Sequence, residues 1–474
     1  MSWKHTPLQA LFATGVFGFG SSVAHPNKHA RSEKTEKIAW GPCGDVPGAD
    51  AGRAQCGNLT VPLDYTSPNL TATTPKKGSI LFNLGGPAGT GNTLTANLIV
   101  DQEDTAVLGK LWGVGKVVSN ACYDYPGLRK NGSMLSTAFT ARGLIHIVDA
   151  VQDDGLLRFW GVSYGTVLGA TVAAVFADRV DGMVLDAVLN PHLYFNGHII
   201  ERWAAADKAF SAFIKECLKV PDRCGFSHRN RSAEEIEEDI YALLDNLEIE
   251  PLVDGTTVID HSAPHQYSNM VRALDGLLSS PPEITLDKQA PQQTFEELGE
   301  VFEALEGGSR LLGSIGKTAA AACANWRVPA KERHEDDFNV ATRHPTFIIE
   351  NTYDLATPFA SAQNLSATLP GALLHASDKQ VSSCTVQIIR DYVSKWTPPD
   401  SYKYCETDFG PFDNSTFEDL LHAPCPEHTQ SNTLVFFRVC SPLDIMPRVE
   451  MDITQSAVRK LFPFTAIVAQ VVQP

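Results

Sequence analysis

The chain has 474 residues, 43% of them hydrophobic and 20% charged, with a formal net charge of −17. That length fits one large α/β domain carrying an insertion, or two domains. Lys and Arg are spread thinly, which excludes a phosphate-tracking surface and nucleic acid as a partner, and no Cys-x-x-Cys, His-Glu-x-x-His or phosphate-loop pattern points to a metal, nucleotide or other cofactor.

The chain opens like a secretory signal, residues 1–24. Lys4 and His5 precede an apolar stretch around Leu8–Gly20, and Ser22-Val23-Ala24 puts small residues at the cleavage positions. That stretch is too short and too glycine-rich for a stable membrane span. Ten cysteines follow it, Cys43, Cys56, Cys122, Cys217, Cys224, Cys323, Cys384, Cys405, Cys425 and Cys440, an even number compatible with disulfides in an oxidising compartment. Glycosylation sequons begin at Asn58, Asn69, Asn131, Asn230, Asn364 and Asn414, as suits an extracellular glycoprotein.

Beyond a polar leader, His25–Glu36, a disulfide between Cys43 and Cys56 would staple a Gly/Pro/Asp-rich loop. Leu59–Asp64 and Ser79–Leu84 read as strands, the second running into Gly85-Gly86-Pro87-Ala88-Gly89-Thr90-Gly91, and Leu144–Ala150 reads as a helix. Leu157–Val162 is a third strand. It delivers Gly161-Val162-Ser163-Tyr164-Gly165 directly into the apolar helical segment Thr166–Ala177. Gly182–Asp186 has the continuous apolar run of a buried parallel strand. From Tyr194 the pattern changes to amphipathic helices over Ile199–Cys217, Ala233–Leu247 and Phe295–Leu305, with Cys217 and Cys224 close enough across Pro221 to pair. Thr346–Glu350 and Ala372–Ala376 return as strands. The predicted organisation is a mostly parallel α/β core in two parts, 25–193 and 321–410, an inserted helical cap over 194–320 that would shape the substrate pocket, and a tail over 411–474 with a hydrophobic end at Leu461–Val472.

Strand, tight turn and helix around Ser163 form the context a nucleophilic serine requires. The turn is strained, Gly161 and Gly165 remove the side chains that would clash, and the following helix aims unpaired N–H groups at the position of a tetrahedral oxyanion. The backbone N–H of Tyr164, with that of Gly85 or Gly86, would hold that oxyanion. In α/β hydrolases the acid and the histidine follow the serine in the chain. Asp354 suits the acid, because Asn351-Thr352-Tyr353-Asp354 is the loop at the end of the Phe347-Ile348-Ile349 strand. Asp186 is expected to order its strand end.

Several stretches, taken together, are similar to one family: Ile38-Ala39-Trp40, Leu59-Thr60-Val61-Pro62-Leu63-Asp64-Tyr65, Asn83-Leu84-Gly85-Gly86-Pro87, Trp160-Gly161-Val162-Ser163-Tyr164-Gly165-Thr166, Asp178-Arg179-Val180, Val184-Leu185-Asp186, Cys323-Ala324-Asn325-Trp326 and Thr352-Tyr353-Asp354-Leu355-Ala356-Thr357-Pro358. From Ile38 to Pro398 the chain resembles the secreted tripeptidyl-aminopeptidase-like and prolyl-iminopeptidase-like serine exopeptidases of the α/β-hydrolase fold, in their fungal form. The resemblance implies Ser163 as nucleophile, Asp354 as acid, a helical cap, and hydrolysis of peptides from the amino end or of related small acyl substrates.

The chain departs from the family twice. The family's Gly-His loop before a Ser-Cys pair, matched by Ser383-Cys384, is missing from Leu373–Cys384, so the nearest histidine is His375, 375 − 354 = 21 residues after the acid and inside a predicted strand. His422 and His428 in the tail are the alternatives. The strand that normally ends in an Asp-Pro-Arg-Gly-like run is reduced to Leu111-Trp112-Gly113-Val114-Gly115-Lys116. The acidic stretch Glu234–Asp239 has the sign to receive a substrate ammonium, although it reads first as a solvated helix face.

Overall fold

Short apolar strands alternate with helices along the chain, and among the described residues seven of those strands gather into one sheet. The computed structural model describes residues 41–42, 55–56, 79–83, 105–124, 126–152, 154–196, 200–227, 230–250, 252–254, 257–259, 294–313, 317, 320–321, 324–326, 328–377, 382–396, 404–408, 410, 412 and 465–468. In chain order the elements are β1 (Gly41–Pro42), β2 (Gln55–Cys56), β3 (Ser79–Asn83), α1 (Thr105–Asp124), α2 (Pro126–Asn131), α3 (Thr137–Val151), β4 (Leu157–Ser163), α4 (Tyr164–Val175), β5 (Val180–Val188), α5 (Pro191–Phe195), α6 (Ala206–Lys219), α7 (Ala233–Ile249), β6 (Leu252–Asp254), β7 (Thr257–Ile259), α8 (Phe295–Gly308), β8 (Phe347–Asn351), α9 (Phe359–Thr368), β9 (Leu373–Ser377), α10 (Ser383–Lys395), β10 (Tyr404–Cys405) and β11 (Thr465–Val468).

The main sheet has the order β10-β9-β8-β5-β4-β3-β11, with every neighbouring pair parallel. Alternation along the strands sends side chains to two faces. Leu81, Phe159, Leu185 and Ile348 pack with residues of α3, α4 and α9, including Leu144, Val167, Leu168 and Leu365. Trp160, Val184, Phe347 and Ile349 pack against Ile388, Ile389, Tyr392 and Val393 of α10. Covering both faces is what makes β4, β5 and β8 read as nearly continuous apolar runs. The buried Tyr392 hydroxyl fastens α10 to the sheet by donating to the Pro345 carbonyl at 2.7 Å.

The cap has its own apolar clusters. Phe210 and Ile214 of α6 meet Ile236 and Tyr241 of α7 together with Leu311 and Leu312, and a disulfide joins Cys217 to Cys224. Capping boxes start α7, from Ser232 with Glu235, and α8, from Thr294 with Glu297. The stretch Leu111–Lys116, expected as the remnant of a strand, lies within α1, and Leu111 is buried against Leu298, Phe302 and Leu305 of α8. The sheet position beside β3 is taken by β11 from the tail, in register from Thr465↔Ser79 to Val468↔Phe82. Without it β3 would expose a row of unpaired N–H and C=O groups, and a short Thr-Ala-Ile-Val segment suffices to pair them. A second disulfide, Cys384–Cys405, ties the start of α10 to β10.

The expected signal peptide and leader, Cys43, the strand expected over Leu59–Asp64, and Gly85 and Gly86 lie outside the described residues. The flanks of the Cys43–Cys56 loop do meet, with Gly41 paired to Cys56 and Pro42 to Gln55. Among the described residues no helix is long and apolar enough to cross a membrane.

Candidate active site

Strand β4 ends at Ser163 with φ 56° and ψ −121°, outside the regions an L-residue ordinarily occupies. Such a conformation costs on the order of 1–3 kcal/mol and persists only where the surroundings force it. Here the surroundings are two elements joined with no residue between them, since β4 ends at Ser163 and α4 begins at Tyr164. Gly161 makes the reversal feasible, because a Cβ there would overlap the Gly165 carbonyl. The Ser163 hydroxyl makes no capping bond to α4. The Tyr164 N–H belongs to the first turn of α4, where backbone donors lack intrahelical partners, and its phenol is held by Thr137 Oγ1 at 2.9 Å.

Three carboxyl groups accompany Ser163 at the carboxyl edge of the sheet. Asp354 follows β8, and its Oδ1 accepts the N–H groups of Ala356 at 2.9 Å and Thr357 at 2.7 Å, which shapes the turn into α9. Burial raises Asp354 above the ordinary carboxylate range, opposed by those N–H bonds and by the charge of Arg202. Asp186, near the end of β5, accepts from Trp160 Nε1 at 3.3 Å; burial, with Asp354 adding repulsion, pushes it up to about 6. Glu350 is 1% exposed and lies well above its usual range, again through burial first and then the nearby Asp354 charge. Crowded acids in a poorly hydrated site favour their neutral forms. The sequence does not single out Glu350 or Arg202, because nothing local distinguishes an acid ending one strand or a cation in a short helical turn until the strands are ordered.

His375 is elsewhere. It pairs with Ile349 inside the sheet, and Ile349 pairs with Asp186, which pairs with Val162. Reaching β4 from β9 means crossing β8 and β5, and three strand intervals of about 4.8 Å come to roughly 14 Å. The ring is 1% exposed, its Nε2 lies 3.1 Å from Thr385 Oγ1 of α10, and it sits beside Phe347. Strand alternation turns His375 into the α10 face and holds it away from Ser163, as its position inside a strand, short of the loop beyond, implies. His192 Nε2 contacts Thr368, His344 Nδ1 contacts the Asp181 carbonyl, and His334 is packed among Phe195 and Phe338. His422 and His428, like Gly85 and Gly86, lie outside the described residues.

Other expectations find definite places. The acids of Glu234–Asp239 are engaged along the helix, Glu234 with Lys215, Glu235 and Asp239 with Arg231, and Glu237 with Ser211. Asn230 and Asn364 are exposed and Asn131 is half-buried, while Asn58, Asn69 and Asn414 lie outside the described residues. A cavity of about 620 Å³ opens between His192, Phe195, His334, Phe338 and Thr368, and neither Ser163 nor Asp354 lines it. Among the described residues no group of three or more His, Cys, Asp or Glu could hold a metal ion.

Residues 309–405 match the family model described as TAP-like protein. A tripeptidyl aminopeptidase of Streptomyces coelicolor is 29% identical over 192 residues, covering 29% of this chain and 35% of that protein. The chain thus matches about a third of the length of this relative. The serine protease Hip1 of Mycobacterium tuberculosis is 22% identical over 523 residues, covering 85% of this chain and 97% of that protein. Among solved structures, a thermophilic esterase from Thermogutta terrifontis is similar at 12% identity and a TM-score of 0.24, over 68% of this chain and 91% of that one. The parallel sheet, the Ser163 elbow and the sequence matches agree: the chain has the α/β-hydrolase fold and resembles the tripeptidyl-aminopeptidase-like peptidases of that fold.

Proposed function

We propose that this chain is a secreted serine hydrolase that cleaves peptides from their amino end, or related acyl bonds, through an acyl-enzyme on Ser163. The observation that carries the reading is the strained elbow at Ser163, with φ 56° between a parallel strand and the helix that follows it. In this reading Ser163 Oγ attacks the carbonyl carbon, a base removes the hydroxyl proton, and the N–H groups of Tyr164 and of Gly85 or Gly86 stabilise the oxyanion. The proton passes to the leaving amine or alcohol, and water then releases the acyl group by the same steps. Asp354 orients the base. With His375 out of reach, His422 and His428 of the tail, which lie outside the described residues, are the alternative candidates for the base. The Cys217–Cys224 and Cys384–Cys405 disulfides and the exposed sequons at Asn230 and Asn364 support an oxidising, secretory setting.

An active-site serine probe, such as a fluorophosphonate, should label the wild type and fail to label Ser163→Ala. Labelling that survives the substitution removes Ser163 from the mechanism. Amino-terminal peptide amides assayed beside short acyl esters separate a peptidase from an esterase acting on a small metabolite, since turnover of esters alone excludes the peptidase reading. Export is tested by sequencing the mature amino end, expected at His25, and by a mass loss on endoglycosidase treatment.

A second reading, a hydrolase-fold binding protein with impaired catalysis, is favoured by the burial of His375 in the ladder and by an Asp354 oxygen that bonds its own turn. Removing one triad member typically leaves only about 10³–10⁴-fold catalysis over water. A folded wild type that neither labels nor turns over either substrate class would select this second reading.

A further inference from the structure

Ser163 and Asp354 reach the carboxyl edge on β4 and on the loop after β8, and these strands are not neighbours, because β5 lies between them. Their separation therefore depends on how β5 ends, and it ends irregularly. Its pairing with β8 extends to Asp186↔Ile349, and its register with β4 slips after Val162↔Asp186 so that Ser163 faces Val188. Ala187, between the two, takes φ 55°. Side-chain bonds take over where the ladder to β8 stops. The Val188 N–H donates to Glu350 Oε2 at 2.7 Å, and the Asn351 N–H donates to Glu350 Oε1 at 2.9 Å. On the other side the Leu189 N–H donates to Thr166 Oγ1 at 3.1 Å, and the Thr166 hydroxyl donates to the Ser163 carbonyl at 2.6 Å. Glu350 and Thr166 are both buried. Adjacent residues at the end of β5 thus hold the acid's strand through Glu350 and the nucleophile's elbow through Thr166.

We infer that Glu350 is a positioning residue, which together with Thr166 fixes the Ser163 elbow relative to the loop carrying Asp354. The inference rests on the reading of Ser163 as nucleophile. A carboxyl group suits the task because two N–H donors converge on one side chain and each needs an acceptor. A neutral carboxyl group meets both, through its carbonyl oxygen and the lone pairs of its hydroxyl oxygen, whereas glutamine supplies one acceptor and an amide nitrogen that cannot accept the other N–H. Aspartate is one methylene shorter and cannot span both strands. Glu350 touches no reacting atom in this scheme, so its loss should alter the geometry of attack and leave recognition intact.

The test uses the full-length protein and a fluorophosphonate probe, with labelling resolved into reversible affinity and inactivation rate constant. Amide exchange over Gly182–Asn190 is followed by mass spectrometry, and thermal melting confirms folding. Glu350→Gln should lower the inactivation rate about 10–100-fold at unchanged probe affinity, and the Val188 amide should lose protection. Thr166→Val should act similarly, and the double variant should be no slower than the slower single, because both bonds serve one link. Glu350→Asp is the second variant should Gln not fold, with the same losses expected. A folded variant that labels at the wild-type rate, weakens affinity alone, or combines additively with Thr166→Val overturns the inference. If the wild type does not label, the nucleophile reading fails, and amide exchange still decides: unchanged Val188 protection in Glu350→Gln overturns the link, and lost protection sustains it.

Discussion

Strands β4 and β9 run to the same edge of the sheet and treat their functional-looking side chains in opposite ways. At the end of β4 the ladder slips: Ser163 adopts φ 56°, its register shifts to face Val188, and the chain turns at once into α4. Strand β9 keeps its ladder, with Leu373, Leu374, His375, Ala376 and Ser377 paired in unbroken succession to Phe347–Asn351. A serine at a slipped register, where the strand turns directly into a helix, can meet a substrate at the strand end, whereas a histidine held within an even ladder is committed to the core. Availability is conferred by backbone geometry, not by residue type.

Four variants would break or sharpen that contrast. The largest effect is expected from Gly161→Ala, since its methyl group would overlap the Gly165 carbonyl and backbone cannot rotate away as a side chain can. We expect a cost of at least about 3 kcal/mol and loss of probe labelling at Ser163, measured by urea unfolding and labelling of any folded fraction. Wild-type labelling in a stable Gly161→Ala variant would show that the elbow is not under the constraint described.

At the β9 side, replacing Cys384 and Cys405 with serine opens a link of 21 residues and should lower stability by about 3 kcal/mol while Ser163 labelling persists. His375→Ala should cost about 2 kcal/mol through a buried cavity and the lost contact with Thr385, and labelling should stay within about twofold of wild type. A folded His375→Ala protein that no longer labels would abolish the distinction between the two strand ends.

The smallest effect concerns pH. Asp186 rises from 3.8 to about 6 in the folded state, so the native protein binds more protons than the unfolded chain between those values. Wild-type stability therefore decreases as pH rises through that window, and Asp186→Asn lacks this penalty while still accepting from Trp160. The stability advantage of Asp186→Asn should grow by on the order of 1 kcal/mol between pH 5 and pH 7.5, read from paired urea melts. A constant difference across that range would mean Asp186 is not held in a poorly hydrated site.

Motifs with short-range causes are legible in the amino-acid sequence alone. The Gly161–Gly165 turn is one, because strand, glycine and helix follow one another without a gap, and the Cys217–Cys224 disulfide is another, because its ends lie only seven positions apart. The Leu111–Lys116 stretch misleads for the complementary reason: six residues with an apolar bias suit a strand or a helix equally, and contact with α8 decides for α1. Glu350 carries no local signal at all, since its role arises only when β5 and β8 become neighbours.

The sequence by itself determined the α/β alternation, the serine elbow and the acid-bearing loop, because each is encoded within a dozen residues by periodicity and glycine placement. Only the tertiary structure decided that β11 closes the sheet beside β3, that His375 points into α10, and that Glu350 and Thr166 hold β5 between nucleophile and acid. Those outcomes depend on strand order, register and the face each side chain takes, which are settled by the burial of whole strands against distant helices, beyond the reach of any local pattern.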